Sequence, residues 1–154
     1  MPGAEPRRTY NANGTPTTTW YLYNDKGLAA EYDSSGNLRK EYHFHPQKTW
    51  MTDPLFQRTA DNQVYYYQND HLGAPQRLIK SNGATVWRAT YTAFGEASVD
   101  PDSSIENNLR FPGQYYDQET GLHQNYFRDY DPRTANMIMI AMISNLRLMW
   151  RQNN

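Results

Sequence analysis

From Trp20 to Asp131 apolar and polar residues alternate in short stretches, and clusters of small turn-forming residues separate them. Trp20-Tyr21-Leu22-Tyr23 runs into Asn24-Asp25-Lys26-Gly27, and Ala29-Ala30-Glu31-Tyr32 runs into Asp33-Ser34-Ser35-Gly36-Asn37. Leu38-Arg39-Lys40-Glu41-Tyr42-His43-Phe44 then alternates for much of its length. A period of two sends successive side chains to opposite faces of a strand. Asp, Asn and Ser close local turns with their own side chains, and Gly supplies positive φ. Asn82-Gly83, between Arg77-Leu78-Ile79-Lys80 and Thr85-Val86-Trp87-Arg88, predicts a tight hairpin with a primed turn.

The glycines Gly27, Gly36, Gly73, Gly83, Gly95, Gly113 and Gly121 recur at these breaks, and many close a Tyr-Asp or Asn-Asp phrase. Tyr32-Asp33-x-x-Gly36 and Tyr116-Asp117-x-x-x-Gly121 are one phrase with a residue inserted, and Tyr67-x-x-Asp70-x-x-Gly73 is a looser relative. An imperfect repeat of hairpins, each gaining stability by pairing with the next, is the economical account. The expected fold is mainly β, stacked antiparallel hairpins with room for a short C-terminal helix. Residues 1–19 carry Pro, Gly and Asn without apolar periodicity and are expected to be a flexible N-terminal segment. Residues 20–134 form the repeat core and residues 135–154 a divergent tail. That tail holds four of the six Met and lacks Tyr, Gly, Pro, Asp and Glu, and Asp131-Pro132 offers a helix start before it.

Composition refines this picture. Mean hydropathy is −0.96, which alone would suggest disorder, but aromatic residues reach 14% and disordered chains are poor in them. Thirteen of the aromatics are Tyr, a strong β-former with an apolar ring and a polar tip. Fifteen cations against 16 acids leave a net charge of −1, which argues against a nucleic-acid binder built on a broad basic surface. The charge divides as −3 over residues 1–134 and +2 over the tail. With no Cys, disulfides, thiolate zinc sites and Cys nucleophiles are excluded. No apolar run approaches the ~18 residues of a membrane span, and residues 1–10 show no secretory signal pattern.

Candidate chemistry is sparse. Asp129 and Asp131, two apart, could form a carboxylate pair, but strand-end and turn roles fit better. His43 and His45 could share a metal, yet no third ligand stands at a telling spacing, and surface strand positions fit better. His71 follows Asp70 in a turn, and no Gly-x-Ser-x-Gly elbow supports a Ser-His-Asp set. Tyr65-Tyr66-Tyr67 and Tyr115-Tyr116 could stack sugars or bases, but consecutive tyrosines alternate faces, and cross-strand packing is favoured. A two-sided tyrosine ladder suits a shell with one face on solvent and the other on a polar lumen. Strands exposed at an edge predict association.

Two blocks carry a longer pattern. The first is Tyr65-Tyr66-Tyr67-Gln68-Asn69-Asp70-His71-Leu72-Gly73-Ala74-Pro75, continuing through Val86-Trp87-Arg88-Ala89 to Tyr91-x-x-Phe94-Gly95-Glu96. The second is Leu109-Arg110-Phe111-Pro112-Gly113-Gln114-Tyr115-Tyr116-Asp117-x-x-x-Gly121-Leu122-His123, then Asn125-Tyr126-Phe127-Arg128-Asp129-Tyr130-Asp131-Pro132. Over about residues 20–134 this resembles the C-terminal part of a bacterial Rhs (YD-repeat) protein: the last Tyr-Asp repeats plus the Rhs-associated core.

The resemblance implies a structural role for the motif residues Asp70, His71, Leu72, Gly73, Phe94, Gly95, Gly113, Tyr115, Tyr116, Asp117, Gly121, Tyr130, Asp131 and Pro132. Rhs proteins, like the related toxin-complex C subunits and teneurins, wind such repeats into a hollow β-shell around a variable C-terminal polypeptide, usually a toxin. In many members the core releases that polypeptide by aspartyl self-cleavage at two Asp-Pro-x-Gly phrases. Here Asp131-Pro132-Arg133-Thr134 is followed by Ala135-Asn136-Met137, and no Asp-Pro-x-Gly occurs. The expectation is therefore a structural wall and closing segment, an incomplete copy without catalytic residues, cofactor or metal. Its implied partners are the remaining shell and the enclosed toxin, together with immunity and secretion-spike proteins, with no nucleic acid and no membrane span. The implied location is bacterial, cytoplasmic before export and then secreted or at the cell surface. An aspartyl self-processing domain and a carbohydrate-binding β-module are the alternatives. The tail is the start of a toxin, a divergent plug or an out-of-frame continuation.

Overall fold

The strands run in chain order as β1 (Ala4–Tyr10), β2 (Pro16–Asn24), β3 (Gly27–Tyr32), β4 (Leu38–Phe44), β5 (Pro54–Thr59), β6 (Val64–Asn69), β7 (Pro75–Ile79), β8 (Thr85–Tyr91), β9 (Ala97–Val99), β10 (Gln114–Asp117), β11 (Leu122–Asn125), β12 (Arg128–Asp131) and β13 (Asn136–Met139). The computed structural model describes residues 4–10, 16–126 and 128–139, and no helix occurs among them. Every strand pairs antiparallel with its neighbour in sequence, giving a nine-stranded sheet β1 to β9 and a four-stranded sheet β10 to β13. The expected stack of antiparallel hairpins is what forms.

One turn is reused. Asp33, Thr59, Asp70, Lys80 and Thr92 each donate their N–H to the carbonyl four residues on, and each accepts at its own carbonyl the N–H three residues on. The residue three places on is Gly36, Asn62, Gly73, Gly83 or Gly95, with φ of 80°, 62°, 85°, 84° and 87°. This is the three-residue hairpin loop, a type I turn followed by a left-handed bulge residue. It corrects the primed turn expected at Asn82-Gly83. Both primed turns need positive φ at the first central residue, but Asn82 lacks it and only Gly83 has it. Beyond the loop a separate bulge leaves Val86 of β8 unpaired, between Leu78–Trp87 and Ile79–Thr85.

Two boundary expectations are also corrected. Residues 1–19 are not simply a flexible segment, because Ala4–Tyr10 pairs along its whole length with Pro16–Leu22. The β-branched run Thr17-Thr18-Thr19 favours strand and prevails over the turn formers around it. Asp131-Pro132 does not start a helix. Asp131 ends β12, a turn with Ala135 at φ 57° reverses the chain, and Asn136–Met139 pairs back onto Arg128–Asp131. The rest of the helix expected in the tail lies outside the described residues.

The nine-stranded sheet has a buried and an exposed face. Register sets Tyr21 beside Glu31 and Lys40, Tyr42 beside Gln57 and Tyr65, and Tyr67 beside Leu78 and Trp87 on the buried face. That face does not look onto an open lumen, as the tyrosine ladder had suggested. Residues 104–117 fold across it and carry Leu109 and Tyr115 into the same core as Tyr21, Leu28, Tyr42, Tyr65, Leu78 and Trp87. The β4–β5 loop anchors the arrangement. Met51 N–H donates to the Lys26 carbonyl at 2.8 Å, Asp53 N–H to the Gly73 carbonyl at 3.3 Å, and Gly113 N–H to the Met51 carbonyl at 3.2 Å.

Candidate functional site

Under the 104–117 roof lies a polar seam that joins the two sheets. Glu31 projects from β3 between apolar neighbours and is only 5% exposed. Its Oε1 accepts the Tyr42 hydroxyl at 2.5 Å and the Tyr115 hydroxyl at 2.9 Å. Tyr115 in turn accepts Asn108 Nδ2 at 3.1 Å and packs edge-on against Tyr21 at 5.5 Å. Beside this chain the Tyr67 hydroxyl donates to Gln57 Oε1 at 2.7 Å and reaches Asn107 Oδ1 at 3.0 Å. Arg110 donates from one terminal nitrogen to the Asn107 and Leu109 carbonyls, and its guanidinium lies 4.6 Å from the centre of the Tyr116 ring.

Burial, with the Glu31 carboxylate alongside, holds the Tyr42, Tyr67 and Tyr115 hydroxyls well above the usual phenol range. Burial pushes Tyr91 up to about 12 and lowers Arg110. The phenols therefore stay protonated at neutral pH and act as donors, which is what a buried carboxylate needs. Gln57 Nε2, Tyr91 Oη and Arg110 Nε are buried without a partner. The seam is thus a clamp that is not fully satisfied. His123, 1% exposed, bonds Gln114 Oε1 through Nδ1 at 2.7 Å, and burial lowers its pKa to about 4.

The residues singled out from sequence fall into distinct places. Asp70 closes the β6–β7 turn: its Oδ1 accepts the Leu72 and Ala74 N–H groups, each at 2.9 Å, while His71 and Leu72 point outward. Asp33 does the same for Ser35 and Asn37. Asp117 holds the β10–β11 turn through Glu119 N–H and the Thr120 hydroxyl, and Gly121 lies in that turn. Gly95 sits under the Phe111 ring, 3.0 Å from where a Cβ would stand, and exposed Phe94 gives its carbonyl to the Tyr130 hydroxyl at 2.8 Å. Gly113 reaches the β4–β5 loop, and Pro132 is buried after β12.

Asp131 is gripped by Arg133 through its backbone N–H, Nε and a terminal nitrogen, and this holds its carboxyl below the usual range. A proton-sharing carboxylate pair needs one member raised instead. His43 stacks on Phe56 at 4.2 Å, whereas His45 Nδ1 accepts the Gln47 N–H at 3.3 Å. Among the described residues no three His, Cys, Asp or Glu side chains stand together as metal ligands. Tyr65, Tyr67 and Tyr115 are core, Tyr116 is half-buried, and Tyr66 faces solvent. The sequence reading missed Glu31, Gln57, Asn107, Asn108 and Arg110. The available signal was a lone carboxylate inside the small-residue strand Leu28-Ala29-Ala30-Glu31.

Residues 64–99 match the family described as RHS protein. The uncharacterized protein YibJ of Escherichia coli (strain K12) is 40% identical over 81 residues, which cover 52% of this chain and 34% of YibJ. Double-stranded DNA deaminase toxin A of Burkholderia cenocepacia (strain H111) is 35% identical over 80 residues, 49% of this chain and 6% of that protein. The chain thus spans about a third of the first relative and a small part of the second. Among solved structures, a chain of the Photorhabdus luminescens Tc holotoxin pore matches with a TM-score of 0.49 and 17% identity, over 90% of this chain and 9% of that one. No helix among the described residues is long and apolar enough to cross a membrane.

Proposed function

We propose that this chain, an Rhs protein by the sequence of its central hairpins, is a wall and closing segment of a toxin-enclosing β-shell. The observation that carries this is the strictly sequential meander closed by one repeated turn, with its buried face roofed by 104–117. Each hairpin rests on its neighbours, and among the described residues β1 pairs only with β2, which leaves a further edge for lateral addition. Its partners would be the remaining shell and the enclosed toxin, with immunity and secretion-spike proteins beyond them. Export from a bacterial cytoplasm to the cell surface or outside follows from that role. The missing Asp-Pro-x-Gly phrases support an incomplete copy without self-cleavage, and the Arg133 fork on Asp131 supports a structural rather than catalytic carboxylate.

The test is complementation. The full chain is coexpressed with an Rhs shell lacking the equivalent hairpins, followed by size exclusion and limited proteolysis of the enclosed domain. Co-elution with renewed protection is expected, and separate elution with an unprotected cargo refutes the proposal. Intact mass spectrometry addresses the aspartyl alternative, for which a specific cut abolished by Asp131→Asn is the signature.

A further inference from the structure

The exposed face of the nine-stranded sheet carries a stripe unrelated to the seam. Register aligns His43, Phe56, Tyr66 and Ile79 across four adjacent strands. His43 stacks on Phe56 at 4.2 Å, and Phe56 lies 6.3 Å from Tyr66, which is 44% exposed. Two residues further along β6, the next row is Gln68, Arg77 and Arg88. On the other side of Tyr66 an open depression of about 570 Å³ is lined by Lys80, Ser81 and the amide side chains of Asn62, Gln63 and Asn82.

The charges on this face sort into two groups. Arg58 pairs with Glu41, and Arg88 pairs with Asp100. Arg77 and Lys80 are exposed and make no salt bridge among the described residues. Asp61, the acid of the neighbouring turn, accepts the Thr59 hydroxyl and lies near enough to Lys80 for that cation to help hold its carboxyl below the usual range. The stacked His43 and Phe56 rings and the tilted Tyr66 ring are therefore bracketed by two exposed cations outside any salt bridge, beside the amides of the depression. A near-neutral net charge excludes a surface dominated by cations, but not a local stripe of this kind.

From this juxtaposition we infer that the stripe His43–Phe56–Tyr66, with Arg77 and Lys80, is a weak binding site for single-stranded nucleic acid. Bases stack on Tyr66 and Phe56, and Arg77 and Lys80 take flanking phosphates. Aromatic stacking with cations along the backbone is the chemistry of sequence-tolerant single-strand binding. A duplex hides its base faces and cannot use the rings.

Fluorescence polarization of the full chain with labelled dT and rU 12-mers tests the inference. The expected Kd is about 10–100 μM, the weaker part of the range of non-specific binding. With two phosphate contacts, raising salt from about 50 to 200 mM weakens binding about sevenfold, from a slope of about −0.7 per contact. Tyr66→Ala, at an exposed position, is expected to cost at least about fivefold in Kd. Arg77→Ala is expected to reduce the salt effect to about threefold. Circular dichroism melts verify that each variant folds, and Tyr66→Phe, which keeps the ring, retains binding. A Kd above about 1 mM, equal affinity for a 12-bp duplex, competition by an uncharged hexasaccharide, or full binding by folded Tyr66→Ala overturns it.

Discussion

Tyr115→Phe removes one hydroxyl and leaves the ring in place, so it isolates the polar link between the two sheets. The ring keeps its edge contact with Tyr21 at 5.5 Å, while Glu31 loses the donor at 2.9 Å and Asn108 Nδ2 loses its acceptor at 3.1 Å. The site is buried, so water does not replace the lost donor. A hydrogen bond to a charged group contributes about 1.5–3 kcal/mol, and the Tyr42 hydroxyl on the same oxygen offsets part of the loss. A cost of about 2 kcal/mol is expected, equivalent to about 4–8 °C in Tm for a domain of this size. Urea unfolding followed by tryptophan fluorescence measures it, since Trp87 is buried at 2% exposure. The double variant Tyr115→Phe/Glu31→Gln should be less destabilised than the sum of the singles by about 1 kcal/mol, because the two groups share one bond. A Tyr115→Phe effect under about 0.5 kcal/mol, or strict additivity, would refute the clamp.

Gly27→Ala should destabilise more than Gly36→Ala or Gly83→Ala by about 2 kcal/mol. A Cβ at Gly27 would lie 2.1 Å from Met51 Cγ and 3.2 Å from Met51 N, whereas nothing lies within 4 Å at the other two. Thermal melts of the three variants compare them directly, and equal losses contradict the packing of Met51. His123 is held neutral in the fold, with its pKa lowered to about 4 from 6.5. Its contribution is fully present above pH 6.5 and is lost as pH falls toward 4, because the unfolded chain takes up the proton first. At about 1.36 kcal/mol per unit this amounts to roughly 3 kcal/mol at most, and a pH series of melts should show a drop that flattens in His123→Gln. Asp70→Ala removes the acceptor of two N–H groups and should cost about 1 kcal/mol, while the exposed neighbour His71→Ala should cost less than about 0.5 kcal/mol. Chemical denaturation separates these two, and a His71 effect equal to that of Asp70 contradicts the turn role.

The hairpins were legible because the turn carries its signature locally. Asp33 and Asp70 hold their own turns through side-chain oxygens, and the glycine three places on supplies the left-handed residue. At Thr59 the same turn uses Asn62 in place of glycine, which is why no glycine marks that break. Asn-Gly fits two loop lengths, and the bonds of Lys80 with Ala84 and Gly83 select the longer one. The N-terminal strand was missed because Pro and Gly outweighed Thr17-Thr18-Thr19, although pairing with a ready neighbour overrides local propensity. The seam was hardest to foresee. Glu31 and Tyr115 are 84 positions apart, and no local pattern says that their side chains meet.

That long-range pairing also explains how so hydrophilic a sequence makes a closed core. An apolar face accepts many roofs of the right shape, since burial of hydrocarbon has no direction. A face carrying Glu31, Tyr42, Gln57 and Tyr67 accepts only a roof that returns donors and acceptors at set positions. The 104–117 segment does so with Asn107, Asn108 and Tyr115, and it places Arg110 against Tyr116. Removing the roof would leave Glu31 with the Tyr42 hydroxyl but without the Tyr115 one, and Tyr67 without Asn107. The roof and the sheet should therefore unfold together rather than in sequence. Hydrogen exchange tests this, because protection of Tyr115 and Tyr116 amides should track that of Tyr65 and Tyr67 through the urea transition. Loss of the first pair at lower urea would mean that the closure is a separate, detachable element.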